Sequence, residues 1–209
     1  MKLAKWLENY WYYYKWRTLG AVFILFVITV VVVSTVTAVS PDYKLLLITK
    51  TPMLASQRDE MSACLAGYGK DLNGDGKIKV DIVYADLSDL QPYKELTANQ
   101  ALLASQLMLK DWSLIVTDDA CRDYVIQNNM SKGSIDGYSP DGDVKSAWNW
   151  ENSALFTRVN NVIEVPSSLW FFERSFDFAG LKPEKRADQK TLKMIADNHE
   201  LLMNVIQNN

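Results

Sequence analysis

Two cysteines and a single histidine stand in a chain of 209 residues. That is too few for a disulfide-stapled mini-protein or a structural zinc site, and one imidazole rules out any mechanism that needs two. Six prolines and nine glycines exclude collagen-like and low-complexity chains. Positive charge is scarce beyond the N-terminus. Residues 1–17 hold Lys2, Lys5, Lys15 and Arg17 against Glu8, a net of +3, and the remainder has 18 basic and 24 acidic residues, a net of −6. Nucleic-acid affinity comes from cations that neutralise phosphates, so no nucleic-acid partner is expected. The outer part also lacks a polybasic patch for anionic lipid. Gly-x-Ser-x-Gly, Walker, His-Glu-x-x-His and Ser-x-x-Lys motifs are missing, and the chain is not read as an enzyme.

What is present begins with Thr18–Val39, 22 uncharged residues reading TLGAVFILFVITVVVVSTVTAV. About 20 apolar residues, rising 1.5 Å each, cross a hydrocarbon core. Lipid offers no partner for an open strand, so this β-branched run is expected to be helical. Basic residues precede the run and Asp42 follows it. The positive-inside rule then sets the N-terminus in the cytoplasm and the rest outside. A cleaved signal peptide is the rival reading, with small residues at Val36-Thr37-Ala38. The run exceeds the usual h-region of about 7–15 residues, which favours a retained anchor in the cell membrane. No cysteine near its end offers a lipid attachment. The head WLENYWYYYKW, Trp6–Trp16, is read as an interfacial amphipathic helix or as a packing surface for another membrane protein. The expected divisions are 1–17 (aromatic, basic), 18–39 (transmembrane) and 40–209 (one outer domain).

From Tyr43 onward, apolar runs alternate with helical spacing. Tyr43–Thr49, Lys79–Tyr84 and Trp112–Val116 read as strands. Leu54, Met61, Leu65 and Tyr68 mark one helix, and Leu96, Leu103 and Leu107 a second that opens near Ser88 or Asp89. A short helix should follow Asp119. This order predicts an α/β fold, one three-layer domain with a mainly parallel sheet. Residues 129–150 read as loop. Leu155–Val159 and Val162–Val165 are expected to form a hairpin around Asn160-Asn161, with a further strand at Leu169–Phe172. Pro183 should open a last helix carrying Leu192, Ile195, His199, Leu202 and Ile206. His199 is read as a core residue. Trp148, Trp150, Trp170, Phe171 and Phe172 are core or a sugar- or amine-binding cleft.

Polar clusters end the three strands. Ligands bind beyond the carboxyl ends of parallel strands. Thr49, Lys50, Asp86, Thr117 and Asp118 are therefore the candidate site for a small polar ligand. The same residue types are preferred helix N-caps, which is the structural alternative. The loop Asp71-Leu72-Asn73-Gly74-Asp75-Gly76-Lys77-Ile78 resembles the first eight positions of an EF-hand or dockerin calcium loop. Asp71, Asn73, Asp75 and the carbonyl of Lys77 would be the ligands. Lys79 and Ile82 stand at the ninth and twelfth positions, where a calcium loop supplies further oxygens, and a plain turn competes with the metal reading. Calcium is the one cofactor considered. Cys64 and Cys121 are read as buried thiols, although a bond between them is chemically allowed outside the membrane.

YWYYYKWRTLG, the apolar span, PDYKLLLITK, YGKDLNGDGKIKVDI and LWFFERSF together resemble a group of single-pass membrane proteins of Gram-positive anaerobes. The outer domain of that group is distantly similar to one lobe of an extracellular solute-binding protein. The resemblance implies a periplasmic-binding-protein-like lobe and a tethered binding or sensing role. It carries over no ligand-contacting residue. The competing expectation is a cell-envelope domain that binds another protein and has no small-molecule site.

Overall fold

The computed structural model describes residues 2–37, 40–109, 111–128, 130–131, 147–174 and 189–208. The chain divides into two compact units, residues 1–40 and 41–209.

The first unit is one helix, α1 (Lys2–Thr37), of 36 residues, which at 1.5 Å per residue is about 54 Å long. Within it, Tyr10–Val31 is long and apolar enough to cross a membrane. The aromatic head and the apolar run are not separate elements. An in-plane amphipathic helix needs its apolar side chains on one face. Tyr10, Trp11, Tyr12, Tyr13 and Tyr14 are consecutive and all exposed, and at 100° per residue they surround the axis. Tyr10–Tyr14 thus form a collar on a continuing helix. Tyr10 stacks on Tyr14 one turn away, with ring centroids 5.2 Å apart.

The second unit is a five-stranded mixed sheet covered on both faces. Its elements are β1 (Tyr43–Thr49), α2 (Ala55–Ala66), β2 (Val80–Asp86), α3 (Tyr93–Met108), β3 (Leu114–Asp118), α4 (Asp119–Gln127), β4 (Trp148–Asn149), α5 (Ala154–Asn160), β5 (Leu169–Glu173) and α6 (Gln189–Gln207). The strand order is β2-β1-β3-β5-β4. β1 pairs in parallel with β2, Tyr43 opposite Val80 through Thr49 opposite Asp86, and in parallel with β3, Leu45 opposite Leu114 through Ile48 opposite Thr117. β5 runs antiparallel to both β3 and β4.

Strand alternation builds two cores. Leu45, Leu47, Val116 and Phe171 face Met61 and Leu65 of α2, Leu155 and Val159 of α5, and Leu201, Leu202 and Val205 of α6. Leu46, Ile48, Ile115 and Phe172 face Leu103 of α3 and Cys121 and Val125 of α4. Leu46, Leu47 and Ile48 are wholly buried, and burying each side chain stabilises the fold by roughly 1.5–3 kcal/mol. β1 packs on both sides, so it reads as a continuous apolar run. The chain steps outward from β1 to β2, then back across β1 to β3. Crossovers of one hand moving in opposite directions must lie on opposite faces, as α2 and α3 do.

Several expectations need correction. Residues 154–160 form helix α5, and there is no hairpin. Leu155 and Val159 are four apart and both fully buried, and Ser153 caps the helix by accepting the N–H of Phe156 at 2.9 Å. α3 opens at Tyr93, after Pro92, four residues beyond Asp89. β3 lies two residues later than the apolar run, since its ladder continues through Thr117 and Asp118 opposite Trp170 and Leu169. In α6 the buried face is Thr191, Asn198, Leu201, Leu202 and Val205, while Leu192 is exposed. Trp148 and Asn149 pair as a short strand within the stretch read as loop. The expected helix start at Pro183 lies outside the described residues.

Candidate functional site

β1 and β3 are neighbours, yet their following helices leave to opposite faces, α2 to one core and α4 to the other. In open sheets, ligands bind beyond the carboxyl ends of strands that diverge in this way. The register sets Thr49 beside Asp86 and Ile48 beside Thr117. All five residues singled out from sequence therefore meet at this one edge.

Their chemistry there is uneven. Asp118 is buried and fully engaged. One oxygen accepts the N–H groups of Lys50 and Thr51, each at 2.8 Å, and the other caps α4 by accepting the N–H of Cys121 at 2.9 Å. Thr49 donates to the carbonyl of Thr51 at 2.7 Å and lies 3.3 Å from the Tyr84 hydroxyl, which also accepts the N–H of Met53 at 2.9 Å. Asp86 accepts the N–H of Ser88 at 2.8 Å. The β1–α2 loop is thus held in place by side chains of β2 and β3.

Three groups at this edge are left over. Lys50 is exposed and makes no ion pair among the described residues. Among the described residues, the hydroxyls of Thr117 (0 % exposed) and Ser88 (1 % exposed) have no hydrogen-bond partner. Beside them, the Trp170 indole N–H donates to Asp119 at 2.6 Å, and the Arg122 guanidinium lies over the Trp170 ring, 4.4 Å from its centroid. Burial pushes the Cys121 thiol up to about 12, and the nearby Asp118 adds to the rise. Neither cysteine is bonded. Cys64 is also raised, by burial and by Glu60.

The acidic loop is built differently from a metal cage. Asp71 accepts the N–H groups of Gly74 at 2.6 Å and Gly76 at 2.8 Å, Asn73 accepts that of Asp75, and Asp75 accepts that of Lys77. Gly74 and Gly76 take φ of 77° and 78°, which the turn requires. Asp42 staples the loop from outside, accepting the N–H groups of Leu72, Asn73 and Lys79. The backbone bonds from Gly76 and Gly74 hold the Asp71 carboxyl below its usual range. Two carboxylates, one amide and the carbonyl of Lys77, with Lys79 and Ile82 at the later positions, fall short of the six to eight oxygens calcium takes. Among the described residues no cluster of three or more His, Cys, Asp or Glu is placed to hold a metal. The donor set does not fit the ion, and the turn accounts for the loop.

The remaining candidates are structural. His199 pairs through Nδ1 with the buried Glu173 at the end of β5. Trp148, Trp150, Phe171 and Phe172 are core, while Trp170 is partly exposed. Arg174, which sequence reasoning passed over, is buried against Trp112, 3.9 Å from the ring centroid. It donates to the carbonyls of Leu107 and Leu109, closing the C-terminus of α3. Desolvation lowers its pKa to about 10.

No protein-family model matches the chain, and no curated protein or solved structure is detectably similar to it.

Proposed function

We propose that this protein is a membrane-anchored, extracytoplasmic binding or sensing module that takes a small polar ligand in the crevice beyond β1 and β3. One observation carries the reading. Thr117 holds an unpaired hydroxyl in a fully buried position at that edge. An unpaired buried hydroxyl costs roughly 1–3 kcal/mol, and such a cost is tolerated where a partner arrives from outside the chain. Lys50, uncommitted beside it, would orient a carboxylate or other acceptor on the ligand. A doubly wound β1-β2-β3 half with a mixed outer edge is also what a solute-binding lobe would need. In this reading α1 spans the bilayer with its basic end in the cytoplasm, and no chemistry is performed on the ligand.

The test uses the full chain in nanodiscs, screened by thermal shift against amino acids, polyamines and sugars. A ligand present at 100 times its Kd should add about 2.7 kcal/mol of stability. Thr117→Val should raise the basal melting temperature and weaken that ligand, and Lys50→Ala should weaken the ligand alone. A stabilising ligand indifferent to both substitutions would overturn the site. Protease treatment of intact protoplasts tests the orientation, and protection of residues 41–209 would reverse it.

A further inference from the structure

β2 borders the sheet, since the strand order begins β2-β1. The Lys79 carbonyl accepts the Tyr43 N–H at 3.2 Å, and the Leu87 N–H donates to the Thr49 carbonyl at 2.8 Å. Alternate residues of a strand bond to the same neighbour. The odd-numbered residues therefore serve β1, and Val80, Ile82 and Tyr84 turn their backbone groups outward. Ile78, just before the strand, continues that row. Among the described residues, the Val80 carbonyl accepts from the Ser62 hydroxyl, and no other partner of this outward backbone row is found. A carbonyl has a second lone pair to offer. α2 does not roof the edge over. Arg58, Asp59 and Ser62 line one side of a groove of about 350 Å³, and Val80, Ile82 and Tyr84 line the other.

A free edge is a template for another strand, and the charges it carries decide which strand is accepted. Here they are Lys79 and Asp81, two residues apart and so on one face. Lys79 is exposed and Asp81 half-buried, and neither makes an ion pair among the described residues. Their opposite signs make the edge complementary to itself. When two β2 strands pair antiparallel, the outward residues meet one another in hydrogen-bonded pairs. With Val80 opposite the second copy's Val80, Lys79 of each copy faces Asp81 of the other. A slip that sets Val80 opposite Ile82 brings Asp81 onto Asp81, and like charges directly opposite repel. A further slip, to Ile82 opposite Ile82, leaves Asp81 against Val83 and Lys79 against Ala85. The Val80 register also sets Ile78, 37 % exposed, against the half-buried Ile82. Val80 and Ile82 belong to the core that α2 covers, so this apolar row extends that core across the edge.

We propose that two copies of this chain join through their β2 edges, antiparallel about Val80, with Lys79 and Asp81 of each paired to Asp81 and Lys79 of the other. Ile78, Val80 and Ile82 of both strands make the ladder, a strand addition in which backbone bonds give affinity and side chains give the register. This association is independent of any ligand at the strand ends.

The experiment follows the full chain in nonionic detergent by sedimentation velocity, from about 1 to 100 μM. A concentration-dependent dimer is expected. Lys79→Glu sets like charges opposite each other at both ends of the pair, and so does Asp81→Lys. Each alone should weaken the dimer about tenfold. An equimolar mixture of the two variants restores both ion pairs and should dimerise as the wild type does, which chains that had merely unfolded would not. In a Cys64→Ser background, Lys79→Cys and Asp81→Cys chains should form a disulfide with each other when mixed and oxidised, because residues in such a non-hydrogen-bonded pair lie about 4.5 Å apart at Cα. A dimer that survives both single charge reversals is held by another surface and overturns the proposal. So does a wild type that is monomeric at about 100 μM, or a mixture of the two reversals that stays monomeric.

Discussion

The Oδ2 atom of Asp118 accepts the backbone N–H of Lys50 at 2.8 Å, across 68 residues of sequence. A carboxylate at the end of β3 thereby fixes the loop that leaves β1. The same side chain caps α4. Asp118→Ala strips three N–H groups of their acceptor and should cost about 2–4 kcal/mol. Asp118→Asn keeps one carbonyl oxygen and should lose roughly half as much, by the same accounting. Thermal melts of the full chain by circular dichroism measure both. Equal melting temperatures for wild type and the Ala variant would deny Asp118 its structural role.

The Cys121 thiol gives an alkaline signature. Its pKa rises from 9.0 to about 12 on folding, chiefly through burial. The folded state therefore holds a proton that the unfolded state releases. The stabilisation is complete below pH 9 and is lost as pH climbs toward 12. Cys121→Ala should flatten the decline of stability over that window. In the native protein at pH 8, iodoacetamide should leave Cys121 unlabelled and should modify it after denaturation. Rapid native labelling would contradict the burial.

The strand ends were readable from the sequence because three separate apolar runs each close on a polar cluster, and the chain order leaves them no choice but to align. The division of labour among those residues was not readable. Asp118 could be assigned either to a ligand or to a cap, and only the positions of the N–H groups of Lys50, Thr51 and Cys121 separate the two. The role of Asp42 is not legible in the sequence because it serves a loop 30 residues away, from Leu72 onward. The region from Leu155 to Val165 is ambiguous in the sequence because two Asn residues mark a hairpin turn as readily as a helix end. The deciding signal was the spacing of Leu155 and Val159 behind a Ser N-cap. In α6, Leu192 fits a helical stripe in the sequence but is exposed, while Thr191 and Asn198 face inward.

Asp71 supports its turn without a metal. Because backbone donors hold its carboxyl below the usual value of 3.8, its contribution is present above that pH and disappears as pH falls through the lowered pKa. Asp71→Asn should lower the melting temperature at pH 7 and remove part of the acid dependence. The melting temperature of the wild type should be the same in EDTA and in millimolar calcium. A calcium-dependent rise that Asp71→Asn abolishes would restore the metal reading.

Gly69 ends the α2 connection against the ring of Tyr43. A Cβ built there would lie 2.7 Å from Cε2 of Tyr43 and 3.2 Å from Cγ2 of Ile78. The ring is fixed from both sides. It is 4 % exposed within the core, and its hydroxyl accepts the N–H of Lys70 at 2.9 Å. It has no room to swing away without giving up that bond, so the added methyl must displace β1 or the loop. Gly69→Ala should destabilise the domain by about 1–3 kcal/mol, a fall in melting temperature of a few degrees per kcal/mol for a unit of this size. Adding Tyr43→Leu to Gly69→Ala removes the clashing ring edge. The two substitutions together should cost less than the sum of each alone, a coupling expected for residues in contact. Strict additivity in that double-mutant cycle would mean that the ring does not meet Gly69, and the start of β1 would have to be packed another way.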